Sequence, residues 1–299
     1  MKTLCEKDLN LPPKITLLPS GINGGISSTG NSAPPLRGQI QGWSAGAARR
    51  NMRFLQSVML DKLPPMGLSI TLTVKDCPAS SKEWSRLTKG LVEFLLRHGA
   101  TQLHWVTEWQ RRGVPHLHGV AYFEAMPDPF IQTKVIAYWL HATSHLGTLG
   151  RGQHVVPIEG SSGWFQYMSK HASRGHGHYQ REKGTLPRSW QTTGQLWGKR
   201  GNWPVDEVQV ELTKRSWFLF RRVIKSYVIA DARSQVLKAK RFGDAWSVRT
   251  ATRRLVYARG MLRNNKRGMS EVRGLNEWLP WELSQLILDN VWQRDTQGP

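Results

Sequence analysis

The sequence predicts an α+β fold with a central antiparallel sheet, helices on one face of that sheet and a mainly helical C-terminal region. Two observations give this prediction. Between about residues 66 and 204, apolar residues recur with periods of two and about 3.6 in the order strand, helix, strand, strand, helix, strand, helix. Residues 205–299 then have a mainly helical pattern and remain basic.

The first strand of this order is predicted from its alternating apolar residues, and the first helix from its N-terminal capping box and its amphipathic pattern. Leu68–Val74 alternates apolar residues with Ser and Thr, which is typical of a half-buried strand. Ser80 and Glu83 have the spacing of a capping box, and the amphipathic helix that they begin continues to His98. We expect this helix to cover one face of the sheet.

The next two strands, Gln102–Trp109 and Pro115–Phe123, are predicted to form an antiparallel hairpin, because Gly113 between them can adopt the positive φ of a tight reversal. The remaining core elements are a helix, a strand and a short helix, near Pro129–His145, Gln153–Ile158 and Trp164–His171. This arrangement is expected to leave a polar face of the sheet open for a ligand.

The flanking segments have different compositions. The first 42 residues are rich in Gly, Ser, Pro and Asn and predict a flexible arm, whereas the next segment predicts a basic helix that ends at Pro64 and Pro65. Residues 173–204, rich in Gly, Arg, Lys and Trp, are expected to form loops near nucleic acid. The predicted organisation is an arm, a basic helix, a core domain and a helical region over residues 1–42, 43–65, 66–204 and 205–299.

Charge and composition indicate the class of partner. Lys and Arg number 42 against 21 Asp and Glu, so the 299-residue chain has a formal charge of +21, which favours a polyanionic partner. The 14 Trp residues suit stacking on unpaired bases as well as core packing. Cys5 and Cys77 are too few for a disulfide framework, and no apolar run could span a bilayer. We therefore expect a cytoplasmic protein that does not bind membranes.

Two histidines and one glutamate form the strongest candidate site. His116 and His118 are two residues apart on a strand and therefore point to the same face. A three-residue reversal around Gly113 is expected to place Glu108 opposite His118, on that face as well. Two imidazoles and a carboxylate suit a divalent ion that grips a phosphate oxygen, and Mg²⁺ or Mn²⁺ is the expected ion. A pair of ordinary surface or core histidines is the alternative.

These residues carry a family resemblance. The segments "LSITLTV", "HWVTEWQRRG", "PHLHG" and "YMSK" occur in the order found in the HUH endonucleases. The chain resembles the rolling-circle Rep proteins of that superfamily over about residues 66–200, and is most similar in style to those of filamentous phages and small bacterial plasmids. The resemblance implies a ferredoxin-like or RRM-like nuclease core with Glu108, His116 and His118 as metal ligands.

The resemblance also implies the chemistry. Tyr167 is the implied nucleophile, which attacks the scissile phosphate and leaves a 5′-phosphotyrosine and a free 3′-hydroxyl. Lys170 lies three residues later on the same helix, so both side chains project from one side and the ammonium can meet the anionic centre. The 3′-hydroxyl can prime a polymerase, and the covalent link permits later strand joining.

The number of nucleophiles is a separate question. Many HUH proteins have a second tyrosine four positions after the first, but that position is His171 here, so we expect a single nucleophile. Tyr179 is the alternative, in a segment where His176 and His178 offer a competing metal motif. The glycines around these histidines favour a loop over a strand.

The expected partners follow from this interpretation. Single-stranded and origin DNA would be contacted by the turn arginines and by side chains after the nucleophile, namely Arg111, Arg112, His171 and Arg174. A host helicase and a host DNA polymerase are implied, since the chain has no G-x-x-x-x-G-K-[ST] motif. The alternatives are a relaxase or single-strand transposase of the same superfamily, and a non-catalytic nucleic-acid-binding protein.

Overall fold

The computed structural model describes residues 12–26, 40–125, 128–159, 163, 167, 178–182, 186–187, 189–263, 270 and 273–296. The chain divides into two compact units, residues 34–205 and residues 1–33 with 206–299. The strands are β1 (Lys14–Leu18), β2 (Gly21–Gly25), β3 (Met66–Thr73), β4 (Ala100–Trp109), β5 (Pro115–Phe123), β6 (His154–Glu159), β7 (Trp197–Arg200), β8 (Val208–Glu211) and β9 (Leu275–Trp278). The helices are α1 (Ala45–Ser57), α2 (Ser81–Arg97), α3 (Ile131–Ala142), α4 (Lys214–Phe242), α5 (Ala245–Gly260) and α6 (Trp281–Thr296).

The larger unit is built on a five-stranded antiparallel sheet with the strand order β6-β3-β5-β4-β7. The predicted α+β class with an antiparallel sheet is confirmed, and β3, α2, β4, β5, α3 and β6 follow the predicted order. The predicted helix near Trp164–His171 lies outside the described residues except for Tyr167. β7 was not predicted, because it lies in the segment that was expected to form loops. It pairs with β4 from Leu103 to Val106 and extends the sheet on that side.

The two faces of this sheet have different coverings. The apolar face packs against α2 and α3 through a core that includes Leu72, Trp84, Leu91, Val135 and Trp139. Burial of these large side chains is the main stabilising contribution in this unit. The opposite face carries polar residues, and Phe54 of α1 stacks on His104 there with ring centroids 5.3 Å apart. The predicted basic helix therefore packs on the sheet.

The smaller unit has a four-stranded antiparallel sheet with the order β8-β1-β2-β9. Its core contains side chains from the sheet and from α4 and α6, including Ile15, Ile22, Trp217, Phe220 and Leu288. The structure differs here from the expected flexible arm over residues 1–42, since residues 14–18 and 21–25 are strands. These strands are short and partly glycine-rich, and they pair with each other and with β8 and β9 far along the chain. No helix among the described residues is long and apolar enough to cross a membrane.

Glu277 of β9 is a titratable group in the smaller unit. The Tyr257 hydroxyl donates a hydrogen bond to its Oε1 at 3.2 Å. Burial raises the pKa of Glu277 from 4.5 to about 7, although its hydrogen bond to Tyr257 acts in the opposite direction. The protonated carboxyl is therefore favoured in the folded state. Its contribution to stability is present below pH 4.5 and is lost as the pH rises through about 7.

Replacing Glu277 by Gln should weaken this pH dependence, because the amide stays neutral. Between pH 5 and pH 8 the free energy of unfolding should fall by about 1–2 kcal/mol more in the wild type than in Glu277→Gln, after allowing for partial exposure. Chemical denaturation at the two pH values measures this difference. Glu282→Gln, at an exposed position of α6, is the control. Equal pH dependence in wild type and Glu277→Gln would contradict the assignment.

Candidate functional site

The β4–β5 hairpin brings the three predicted metal ligands to one face of the sheet. In the observed register Glu108 is opposite His116 and Val106 is opposite His118. The expectation that Glu108 pairs with His118 is therefore wrong by two residues. The register differs because of the position of the turn. The amide of Gln110 donates to the carbonyl of Val114, so the three-residue reversal starts one residue earlier than expected. A shift of two residues keeps every side chain on the same face.

The three side chains form a compact candidate metal-binding triad. The ligand atoms of Glu108, His116 and His118 all lie within 4.8 Å of one another. Nε2 of His118 is 3.2 Å from Nε2 of His116 and 3.7 Å from Oε2 of Glu108. All three side chains are buried. The expected open polar face is thus not observed at this position.

The donor set and its spacing fit a divalent ion. An octahedral ion with ligands at 2.0–2.1 Å holds neighbouring ligand atoms about 3.0 Å apart. The Nε2 atoms of His116 and His118 are 3.2 Å apart, close to this separation. The carboxylate suits Mg²⁺ or Mn²⁺, whereas imidazoles suit transition-metal ions such as Zn²⁺ and Fe²⁺. The amide oxygen Oε1 of Gln180 is also buried and has no hydrogen-bond partner among the described residues. The amide nitrogen of the same side chain is 3.5 Å from Nε2 of His116.

Thr71 of β3 supports the orientation of His118. Its Oγ1 is 3.0 Å from Nδ1 of His118, because the two residues are opposite each other in the β3–β5 register. When Nδ1–H donates to this hydroxyl, the lone pair of Nε2 is on the side of the triad. Thr71 thus acts as a hydrogen-bonded support of the kind that orients histidine ligands at metal centres.

Arg181 is the most important site residue that sequence reasoning missed. Its Nε and Nη2 are each 2.8 Å from Oε1 of Glu108, and its guanidinium lies 4.2 Å from the ring centroid of Trp43. The amide of Trp109 donates to the carbonyl of Gln180 at 2.9 Å, which fixes this segment beside β4. Glu108 therefore presents one oxygen to Arg181 and the other towards His118. No periodicity around Arg181 could have revealed this pairing.

Tyr167 lies on the same side of the sheet as the triad. Its hydroxyl is 3.1 Å from Nδ1 of His104, and Nε2 of His104 is 2.8 Å from Oδ1 of Asn51. Because the amide oxygen of Asn51 can only accept, Nε2 is the donor, and in neutral His104 Nδ1 accepts a hydrogen bond from the hydroxyl of Tyr167. Burial raises the pKa of Tyr167 well above 10, the charge of Glu108 raises it further, and Arg181 acts in the opposite direction.

The other predicted site residues differ in what the structure shows. Lys170, His171 and Arg174 lie outside the described residues. Arg112 donates from Nη2 to the carbonyl of Val74 at 2.6 Å, so it braces the hairpin turn against the end of β3. The guanidinium of Arg111 is 5.4 Å from the ring centroid of Tyr179.

The fold and the site together define an α+β protein with a buried two-histidine, one-carboxylate centre and a tyrosine on the same face of the sheet. Residues 67–217 match the model of a family described as replication-associated proteins. The chain belongs to this family. No solved structure matches the chain.

Curated relatives agree with this assignment over most of the chain. A Xylella fastidiosa (strain Temecula1) chain named as a replication protein is 41% identical over 275 residues, which cover 89% of this chain and 98% of that one. A similarly named chain from strain 9a5c is 40% identical over 288 residues, covering 93% and 96%. A replication-associated protein of Pseudomonas phage Pf3 is 37% identical over 246 residues, covering 82% and 83%.

Replacing Arg181 by Met should destabilise the larger unit by about 3–5 kcal/mol, because it leaves the carboxylate of Glu108 buried without its partner. Thermal and chemical unfolding measure this loss in a metal-free buffer. The matched control is the double variant Glu108→Gln with Arg181→Met, which has no buried unpaired charge and should be less destabilised than the single variant. Equal destabilisation of both variants would show that packing, not charge, accounts for the effect.

Proposed function

We propose that this chain is a rolling-circle replication initiator of the HUH superfamily that nicks single-stranded origin DNA with Tyr167 and a divalent metal ion. The candidate triad of Glu108, His116 and His118 carries this proposal, because it pairs a metal-binding donor set with a tyrosine on the same face. Membership of a family of replication-associated proteins, one of them from a phage, supports it. The products are a 5′-phosphotyrosine and a free 3′-hydroxyl, which are later rejoined.

The triad would hold Mg²⁺ or Mn²⁺. When bound, the ion would polarise a non-bridging phosphate oxygen and offset the negative charge that develops on it. Arg181 holds Glu108 in place from the other carboxylate oxygen. Thr71 holds the imidazole of His118 in one orientation.

Tyr167 would act as the nucleophile. Its oxygen forms a bond to phosphorus, the bond between phosphorus and the 3′ oxygen breaks, and that oxygen leaves as a hydroxyl after taking up a proton. The raised pKa means that Tyr167 is protonated at neutral pH, so the attack needs a proton acceptor. Nδ1 of His104 is such an acceptor, and Asn51 holds its ring. Lys170 would add positive charge near the phosphate.

Tyr179 is the second candidate for the nucleophile. Its side chain is 44% exposed, whereas Tyr167 is 6% exposed. The two residues that follow it, Gln180 and Arg181, contact His116 and Glu108. Access of a phosphate to Tyr167 requires movement of the surrounding side chains, while Tyr179 needs none. The position of Tyr167 in the "YMSK" motif favours Tyr167.

The remaining parts of the proposal concern partners. Arg111, Arg112, His171 and Arg174 would contact DNA phosphates, and Arg111 is better placed than Arg112, whose guanidinium already bonds main-chain carbonyls. A host helicase and a host polymerase would act on the nicked origin in the bacterial cytoplasm. A relaxase or single-strand transposase would use the same residues. A non-catalytic nucleic-acid-binding protein would need neither Tyr167 nor the triad.

Tyr167→Phe should abolish the covalent adduct with an origin-containing single strand in the presence of Mn²⁺, because it removes the attacking oxygen. A denaturing gel detects the protein–DNA adduct, and mass spectrometry of the adduct peptide locates the attachment. Tyr179→Phe is the matched control and should retain the adduct. Attachment at Tyr179 would overturn the choice of nucleophile, and a wild-type protein that never forms an adduct would favour the non-catalytic alternative.

Thr71→Val should lower the affinity for Mn²⁺ by about 10- to 100-fold, because His118 loses its orienting hydrogen bond. His118→Ala should remove most of the binding. Isothermal titration calorimetry without DNA measures both effects independently of nicking. Ser69→Ala, two residues away on the same strand face, is the control and should bind as the wild type does. Unchanged affinity in His118→Ala would refute the metal site.

A further inference from the structure

The smaller unit contains a helical hairpin made of α4 and α5. The first part of α4 packs into the core through Trp217, Phe220 and Ile224. Ala232 is the last buried residue of α4, and none of the fully described residues from Arg233 to Phe242 is buried. Since a helix rises 1.5 Å per residue, α4 continues for about 15 Å beyond Ala232. Packing into the core therefore does not account for the side chains on this projecting part of the hairpin.

This projecting part of the hairpin is strongly basic. Between residues 233 and 253 the single acidic residue is Asp244. The exposed cations in the same stretch are Arg233, Lys238, Lys240, Arg241, Arg249 and Arg253. These positive side chains repel one another, and binding to a polyanion offsets that repulsion. The charge therefore favours a nucleic acid as the partner of this surface.

Two large aromatic side chains lie at the tip of the hairpin. Phe242, the last residue of α4, is 79% exposed, and Trp246, near the start of α5, is 71% exposed. Asp244 between them accepts hydrogen bonds from the amides of Trp246 at 2.7 Å and Ser247 at 2.8 Å, which fixes the turn. The guanidinium of Arg241 is 5.0 Å from the ring centroid of Phe242. Exposed rings among cations are what base stacking with phosphate contact requires.

We propose that the hairpin tip is a second DNA contact of this protein, which binds the junction where duplex DNA opens into a single strand. Phe242 and Trp246 stack on bases that are unpaired at the junction, and the surrounding cations bind the phosphates on either side. This inference rests on the proposed function only in taking DNA as the polyanion. It requires neither the metal triad nor Tyr167.

The aromatic part is tested by the double variant Phe242→Ala with Trp246→Ala. Its affinity for a forked oligonucleotide, measured by fluorescence anisotropy without divalent metal, should fall by about 10- to 100-fold. The change in fluorescence of 2-aminopurine at the junction, which reports stacking, should also be lost. Leu286→Ala, at an exposed apolar position of α6, is the matched control and should bind as the wild type does.

The cationic part is tested by replacing Lys238, Lys240 and Arg241 with Gln. The slope of log affinity against log salt should decrease by roughly 0.9 for each phosphate contact that is lost. The aromatic double variant should change affinity with little change in this slope. Both variants alter exposed side chains, so their circular dichroism and melting temperatures should match the wild type.

Two outcomes would overturn the proposal. One is unchanged fork affinity in the aromatic double variant. The other is a loss of self-association in sedimentation experiments without any change in fork binding, which would make the tip a contact between copies of the chain. Failure of the proposed function gives a different result: the wild type would bind forked DNA through the tip but would form no adduct with a single strand.

Discussion

The buried carboxylate of Glu108 constrains the structure of the larger unit more than any other single group. Glu108 has no exposed surface, and an ionised carboxylate in such a place costs several kcal/mol unless other groups compensate it. Arg181 compensates it from one oxygen, while the other oxygen faces His118. The carbonyl of Gln180, fixed by the amide of Trp109, places Arg181 where this pairing is possible. A segment more than 70 residues away along the chain is thus tied to the hairpin by one charge.

The triad could be predicted from sequence because strand geometry is periodic. Side chains two residues apart share a face, and an error of two residues in register changes partners without changing faces. Hence the wrong pairing of Glu108 with His118 still predicted that Glu108, His116 and His118 share one face of the sheet. Arg181 and Asn51 could not be found in this way, because their partners are set by tertiary packing. Asn51 is 53 residues from His104, and no local pattern connects them.

The length of a strand likewise determined whether it could be predicted from the sequence. β3, β4 and β5 are eight to ten residues long and their order was predicted correctly. β1, β2 and β7 are four or five residues long, too short to show a period, and β2 is mostly glycine. β1 and β2 pair with each other, and β8 and β9, both in the last third of the chain, supply hydrogen-bond partners on their outer edges. The sequence composition of such a segment resembles that of a flexible arm.

The environment of Tyr167 links the carboxylate to the chemistry of the phenol. Burial and the charge of Glu108 both raise the pKa of Tyr167, and the charge of Arg181 lowers it. Any further cation held by Glu108 acts in the same direction as Arg181, because it offsets the same negative charge. The hydrogen bond to His104 supplies a proton acceptor at the hydroxyl itself. The charge around Glu108 and the acidity of the tyrosine are therefore coupled, so that the pKa of Tyr167 is highest when the positive charge around the carboxylate is smallest.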